Sequence, residues 1–352
     1  MARTAATRPT PAWVPQSERR PHGCHRVSGA RLGVTLPQFT GDQDEVLEGA
    51  RRAEAAGLDS VWLFDHLWPL PPQRREGGAP VGASAQGEAA GGRRTKDVPF
   101  LEAWTTLAYL AAATRSITIG TLVTRSSLRH PAVLAKMAAT AGAIAPGRII
   151  LGIGSGDLKS RTENEAYGLP YWSGAARREQ LVSTVGTLRG LFEAATSGGT
   201  VTRDDGYVLL ENLPASPRVA EAPRLWVGGN SGWVAEFAGR AADGWNAWGV
   251  PVGAFAESGA RATAAAAGRP IDLSWAGGVV LGSSEGDALK RLGNRNPTGL
   301  LVGAPERIAD SLRALAGAGG NHLIASLPSP IDPECIELLA AEVKPLLAPA
   351  GD

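Results

Sequence analysis

Cysteine is nearly absent from this chain: Cys24 and Cys335 are the whole complement in 352 residues. Thiols so far apart form neither a metal-binding spacing nor a disulfide framework, which fits a reducing cytoplasm. An excess of charge of one sign is also missing. Lys plus Arg number 35 against 34 Asp plus Glu, a formal net charge of +1, so no basic field exists to hold a nucleic-acid backbone. No apolar run approaches the roughly 18 to 20 residues that a membrane-crossing helix needs, and a soluble body is expected. Neither a serine or cysteine nucleophile motif nor an HExxH zinc helix occurs, which leaves hydrolase chemistry without support. With 43% apolar residues the chain has enough hydrophobic surface for a sizeable core.

Residues 1–29 are rich in Arg, Pro, Ala and Ser and lack hydrophobic periodicity, so a disordered extension is expected there, with one domain over 30–350. Arg19-Arg20 is not followed by the hydrophobic stretch of an export signal. His22, Cys24 and His25 cluster within that tail by chance, and no metal site is expected.

From Arg31 onward, short β-rich runs alternate with amphipathic or alanine-rich stretches, the pattern of parallel strands linked by helices. Eight strand candidates stand out: RLGVTL at 31, SVWLFD at 60, ITIGTLV at 117, RIILGIG at 148, RLWVGG at 224, GWNAWG at 244, LSWAGGVVL at 273 and HLIASL at 322. Such a count fits a closed (β/α)8 TIM barrel better than an open doubly wound sheet. Asp42 reads as a helix cap with Asp44 and Glu45 in the first turn, Pro305 as a helix start, and Gly57 and Gly317 as helix ends. Val133, Leu134, Met137, Ala141 and Ile144 share a helical face expected to pack on the sheet. Two insertions interrupt the alternation. Residues 71–99, rich in Gly, Ala and Arg, are expected to form a lid or flexible loop at the functional face, and 197–213 a hairpin with its turn at Asp205-Gly206.

RIILGIGSGD, residues 148–157, reads as a buried strand breaking into a glycine turn that ends on a carboxylate. The turn is not a dinucleotide fingerprint, because Asp157 stands where a small third residue is required. His66 follows Asp65 at the end of the second strand, and both it and Asp157 are expected at one barrel mouth. A histidine and a carboxylate there can serve proton transfer. WVGGNSGW, residues 226–233, places a strand, a glycine turn and a helix start in succession, an arrangement whose free amides suit a phosphate. Its obvious donors are Gly228, Gly229, Asn230 and Ser231. Glycines kept only for packing would look the same. Trp68 and Trp248 sit at strand ends where a flat ring or substrate could stack.

Taken together, FDHLWP, TLVTRSSLRHPAVLAK, RIILGIGSGD, RLWVGGNSGWVAEFAGRAADGW and GNHLIASLP resemble the bacterial luciferase-like superfamily, in particular its branch using the deazaflavin coenzyme F420. The likeness runs from about Arg31 to Leu347. It implies a coenzyme in the mouth of a barrel, with hydride leaving or reaching C5 of the deazaflavin. It also implies that Asp65 contacts the ring and that His66 is the neighbouring proton donor or stabiliser. A cis non-proline peptide near Leu122-Val123, with Thr124 beside it, is implied behind the ring. Ser155 and Gly156 match backbone contacts to the cofactor, and Asp157 matches the position of a catalytic glutamate. The cofactor phosphate would meet Gly228 through Ser231, with Trp233 and Val234 nearby. Sugar-phosphate dehydrogenases of this branch carry a lysine after the sixth strand and a tryptophan shortly after the histidine. This chain has WNAWGVPVGAF and Leu70 there, so the implied substrate is neutral or apolar. The expected reaction is reduction of an activated C=C or C=N bond by reduced F420 in a cytoplasmic homodimer. An FMN-dependent two-component monooxygenase and a non-catalytic flavin-binding protein are the alternatives.

Overall fold

The computed structural model describes residues 29–40, 42–67, 100–157, 160–329 and 331–348. The expectations for residues 1–28, the insertion at 71–99 and Trp68 lie outside these.

The strands are β1 (Arg31–Thr35), β2 (Ser60–Leu63), β3 (Thr118–Thr121), β4 (Thr124–Arg125), β5 (Ile149–Gly154), β6 (Thr200–Asp204), β7 (Leu209–Pro214), β8 (Arg224–Gly228), β9 (Gly244–Trp248), β10 (Asp272–Leu281), β11 (Leu300–Gly303) and β12 (His322–Ser326). Eight of them, β1-β2-β3-β5-β8-β9-β10-β12, pair in parallel, and β12 returns to β1 to close a barrel. These are the eight strands read from the sequence. The structure adds β11, which extends the upper end of β10 beyond the barrel wall. Its run, LLVG, is too short for the pattern to separate from its loop. β6 and β7 pair antiparallel as a separate hairpin around Asp205-Gly206.

The helices are α1 (Gln43–Ala56), α2 (Ala103–Ala113), α3 (Pro131–Ile144), α4 (Ser160–Ala166), α5 (Gly174–Ser197), α6 (Gly232–Ala241), α7 (Val252–Ala265), α8 (Glu285–Leu292), α9 (Pro305–Gly317) and α10 (Pro333–Leu338). Asp42 accepts the Asp44 amide at the start of α1, and Gly57 ends it at φ 85°, a backbone conformation that glycine adopts without penalty. The face of α3 differs from the expected one. Leu134, Ala135, Ala138, Ala139 and Ala141 are buried, whereas Val133 and Ile144 are exposed and Met137 is half-buried. Small residues let this helix lie close to the sheet, and that close approach outweighs the burial of larger ones.

The main core fills the space between strands and helices. A smaller one fills the barrel. Trp62 and Trp226 stack there with ring centroids 5.1 Å apart, and His322 meets both edge-on. Gly120 and Gly244 make room for them, since a Cβ at either would lie 2.3 Å or 2.5 Å from an indole. Ser60 Oγ accepts the Trp62 Nε1 hydrogen at 2.8 Å and sits 2.6 Å from His322 Nε2. Beneath them, Asp272 pairs with Arg31 and Arg224 and closes the lower end. With the lower half of the barrel filled by these side chains, the strands' carboxyl ends are the end left for a site among the described residues.

Burial, reinforced by the charges of Arg31 and Arg224, holds the pKa of His322 well below its ordinary 6.5. The folded protein therefore binds fewer protons at this site than the unfolded chain. Stability from this group is complete above about 6.5 and falls as pH drops from there toward the folded value, at about 1.4 kcal/mol per pH unit. Unfolding free energies from denaturant titrations at about pH 7 and about pH 5.5 should differ by about 1.3 kcal/mol more in the wild type than in a His322→Asn variant. Equal pH slopes would refute the assignment.

Candidate active site at the barrel mouth

β2 ends at Leu63, and the chain then presents Phe64, Asp65 and His66 in turn. Phe64 turns inward. Its amide and carbonyl are both held by the Gln38 side chain, which also reaches the Leu101 carbonyl at 3.1 Å. Asp65 is fully buried, and both of its oxygens are taken by Arg129, at 2.6 and 3.1 Å. Arg129 also pairs with Glu102, which caps the start of α2 through the Trp104 and Thr105 amides. The Asp65 carboxylate is thus committed to this clamp.

His66 is one-third exposed, and its Nδ1 lies 3.0 Å from Oε2 of Glu163 on α4. The other Glu163 oxygen accepts the Leu67 amide, and Arg125 Nη2 lies 2.7 Å from Oε2. The Glu163 side chain is completely buried. Burial works to raise its pKa. The hydrogen bond and charge of His66, the Arg125 guanidinium and the Leu67 amide outweigh that, so the carboxyl is held below its ordinary range. An ionised Glu163 fixes the proton on Nδ1. Nε2 of His66 makes no hydrogen bond among the described residues.

The carboxylate beside His66 therefore belongs to Glu163, while Asp157 is exposed and accepts the Ser160 amide and hydroxyl at 3.0 and 2.9 Å. Asp157 starts α4, the helix that carries Glu163. The sequence signal was an acid on the helical turn after the strand-end aspartate, in SRTENEA. It was missed because Asp157 stood at the strand end itself.

The peptide between Leu122 and Val123 is cis. Val123 rises from the bulge into the mouth, with its methyl groups over Gly154 and Gly228, where a Cβ would lie 2.9 and 2.7 Å away. These two glycines thus serve the bulge. Thr124 faces outward and accepts the Trp104 Nε1 hydrogen at 3.0 Å. Ser155 and Gly156 follow β5, Gly156 at φ +73°, and their amides have no partner among the described residues.

In the β8 turn the Gly229 amide donates to the Asn246 carbonyl at 2.9 Å. The Asn230 side chain clasps the Trp248 backbone through two bonds of 2.8 Å. Ser231 caps α6 by accepting the Val234 amide at 3.3 Å. The amides of Asn230, Ser231, Gly232 and Trp233 have no partner among the described residues. The unpaired row thus begins two residues later than the glycines suggested. Trp248 meets Phe64 edge-on at 5.7 Å, and Phe39 lies between Phe64 and Phe100 with its ring tilted to both. One wall of the mouth is therefore aromatic, and Val123 with the open amides forms the other.

The family model for luciferase-like monooxygenases matches residues 26–299. The chain belongs to the luciferase-like monooxygenase family. Curated relatives include a phthiodiolone/phenolphthiodiolone dimycocerosates ketoreductase of Mycobacterium tuberculosis, 32% identical over 223 residues, covering 61% of this chain and 52% of the relative. An F420-dependent glucose-6-phosphate dehydrogenase of Intrasporangium calvum is 32% identical over 201 residues, 57% of this chain and 52% of that one. The chain spans about half the length of the curated relatives it matches. Among solved structures, an F420-dependent secondary alcohol dehydrogenase shares the luciferase-like fold at a TM-score of 0.73 and 20% identity, covering 91% of this chain and 99% of the other. An FMN complex of a type II Baeyer-Villiger monooxygenase from Pseudomonas putida shares it at 0.66 and 17%, over 90% and 98%. No helix among the described residues is long and apolar enough to cross a membrane.

Proposed function

We propose that this protein is an F420-dependent oxidoreductase that moves a hydride between the deazaflavin C5 and a small apolar molecule with a polarised double bond. The observation that carries this reading is the buried, ionised Glu163 holding Nδ1 of a His66 whose Nε2 is open to the mouth. The residues present fit a deazaflavin. Val123 offers an apolar backing for a flat ring, the Ser155 and Gly156 amides offer donors to its edge, and the amides from Asn230 to Trp233 suit a phosphate at the α6 N-terminus. When bound and reduced, the coenzyme supplies two electrons as hydride.

His66 supplies the proton. In the reducing direction Nε2 gives it to the substrate heteroatom as hydride arrives at carbon; in the oxidising direction Nε2 takes it back. Glu163 holds one proton on Nδ1, so Nε2 accepts as the neutral ring in the oxidising direction and donates as imidazolium beside the Glu163 carboxylate in the reducing one. A proton donor poised for a heteroatom favours C=O and C=N over an unpolarised C=C, and the relative named as a ketoreductase supports the carbonyl. Phe39, Phe64, Phe100 and Trp248 offer an apolar bed that brings no cation among the described residues, which supports a neutral substrate. A cytoplasmic homodimer that takes a small molecule and no nucleic acid completes the reading, the dimer supported by Tyr109, Val133 and Ile144 exposed on α2 and α3.

The second reading, an FMN-dependent monooxygenase, is favoured by the name of the matching family model. Titrating the protein with F420 and with FMN, then supplying the reduced forms with ketones and imines, separates the two. F420 is expected to bind more tightly and reduced F420 to be oxidised only when substrate is present. Oxygen-dependent turnover of reduced FMN, without F420 binding, would overturn the proposal.

A further inference from the structure

A helix of seven residues such as α4 has too few internal hydrogen bonds to keep its shape alone. The surrounding side chains hold it at both ends. Asp157 caps its start through the Ser160 amide and hydroxyl, and Arg125 Nη1 donates to the Ser160 carbonyl at 3.3 Å. Asn164, fully buried, donates from Nδ2 to Ser127 Oγ at 3.0 Å and to the Pro170 carbonyl at 2.6 Å. Gly168 turns the chain back at φ +67°, a conformation that suits glycine, and the Leu169 amide closes the turn on the Asn164 carbonyl at 2.8 Å. The result is a fixed strut beside the mouth.

Glu163 and Tyr167 stand four residues apart on this strut, and the Tyr167 amide donates to the Glu163 carbonyl at 3.2 Å, so both project from one face. Both reach Leu67. Oε1 of Glu163 accepts the Leu67 amide, while Oη of Tyr167 donates to the Leu67 carbonyl at 2.8 Å. One backbone residue is thereby gripped through both of its polar groups. Tyr167 is 52% exposed, so burial does not account for the direction of its ring. The bond to Leu67 is the one its hydroxyl makes among the described residues.

The two oxygens of Glu163 hold His66 Nδ1 and the Leu67 amide, and two contacts from a single carboxylate leave a rocking motion about the line that joins them. Nε2, on the far side of the imidazole from Glu163, would move most. The Leu67 carbonyl lies on the other side of the Leu67 Cα, so a third contact there opposes the rocking.

We infer that Tyr167 is a positioning residue for proton transfer, an inference that rests on the reading of His66 as the proton donor. Its hydroxyl fixes the backbone on the carboxyl side of His66, as Arg129 fixes Asp65 on the amino side. Tyr167 itself exchanges no proton with the substrate.

Tyr167→Phe removes the hydroxyl and keeps the ring. With saturating reduced F420 it should lower kcat for ketone reduction about tenfold and leave KM for the ketone within about twofold, because misplacing a catalytic group costs rate more than binding. In a His66→Ala background the same substitution should change the residual single-turnover rate by less than about twofold, since no donor is left to aim. All rates are taken at a temperature where circular dichroism shows every variant folded. An unchanged kcat for Tyr167→Phe, a loss carried by KM, or an equal fall in the His66→Ala background overturns the inference and leaves the proposed function standing. If the wild type does not turn over F420, or His66→Ala alone leaves the rate unchanged, the reading of His66 fails and the role of Tyr167 with it.

Discussion

His66→Ala is expected to lower kcat for carbonyl reduction by about 10² to 10⁴, the usual contribution of a placed general acid. The affinity for F420 should change little, because the imidazole is poised for the substrate heteroatom. Glu163→Gln should lower kcat less. A neutral amide removes the charge that fixes the Nδ1 proton and stabilises imidazolium, while its carbonyl can still accept from the ring. Because Glu163 also neighbours buried Arg125, that variant loses stability as well, and kcat must be read at a temperature where both proteins are folded. Stopped-flow oxidation of reduced F420 in the presence of saturating ketone provides the rate. An unchanged rate for His66→Ala, with the coenzyme bound, would make the pair a structural brace.

Asp65→Ala should cost about 3 to 5 kcal/mol in folding stability, since it leaves the Arg129 guanidinium buried without its bidentate partner. Glu102 remains to Arg129, which places the expected loss toward the lower end. Replacing both members, as Asp65→Leu with Arg129→Met, should recover a large part of the loss, because the desolvated charge is then gone. Urea midpoints of the three variants measure this. A loss below about 1 kcal/mol for Asp65→Ala would mean that the clamp contributes no more than a surface pair does.

The barrel was legible because each of its strands is a separate apolar run with a helical stretch behind it, and alternation survives even where a residue's partner is unknown. Position along a strand was legible for the same reason, so His66 and Trp248 were read at strand ends, whereas Val123 was named only through the family resemblance. The destination of side chains was not. Asp65 and His66 are neighbours in sequence, yet the carboxylate is consumed by Arg129, 64 residues on, and the ring is held by Glu163, 97 residues on. Glu163 escaped notice because its partners are His66, Leu67 and Arg125, and no local pattern joins those segments. Gly228 resembled a phosphate-binding glycine and Gly154 part of a cofactor turn, but the side chain both accommodate is Val123 from the bulge after β3. Val133 and Ile144 misled because large apolar residues were weighted over the alanines that allow α3 its close approach.

The Arg129 clamp has a consequence for how the enzyme's chemistry could diversify. Asp65 and Glu102 stand on either side of the interval 68–99, and the Gln38 side chain likewise grips Phe64 on one side and Leu101 on the other. Both footings of that interval are therefore secured to the wall independently of what lies between. Exchange of its sequence or length would leave both footings in place, a graft onto a finished mount.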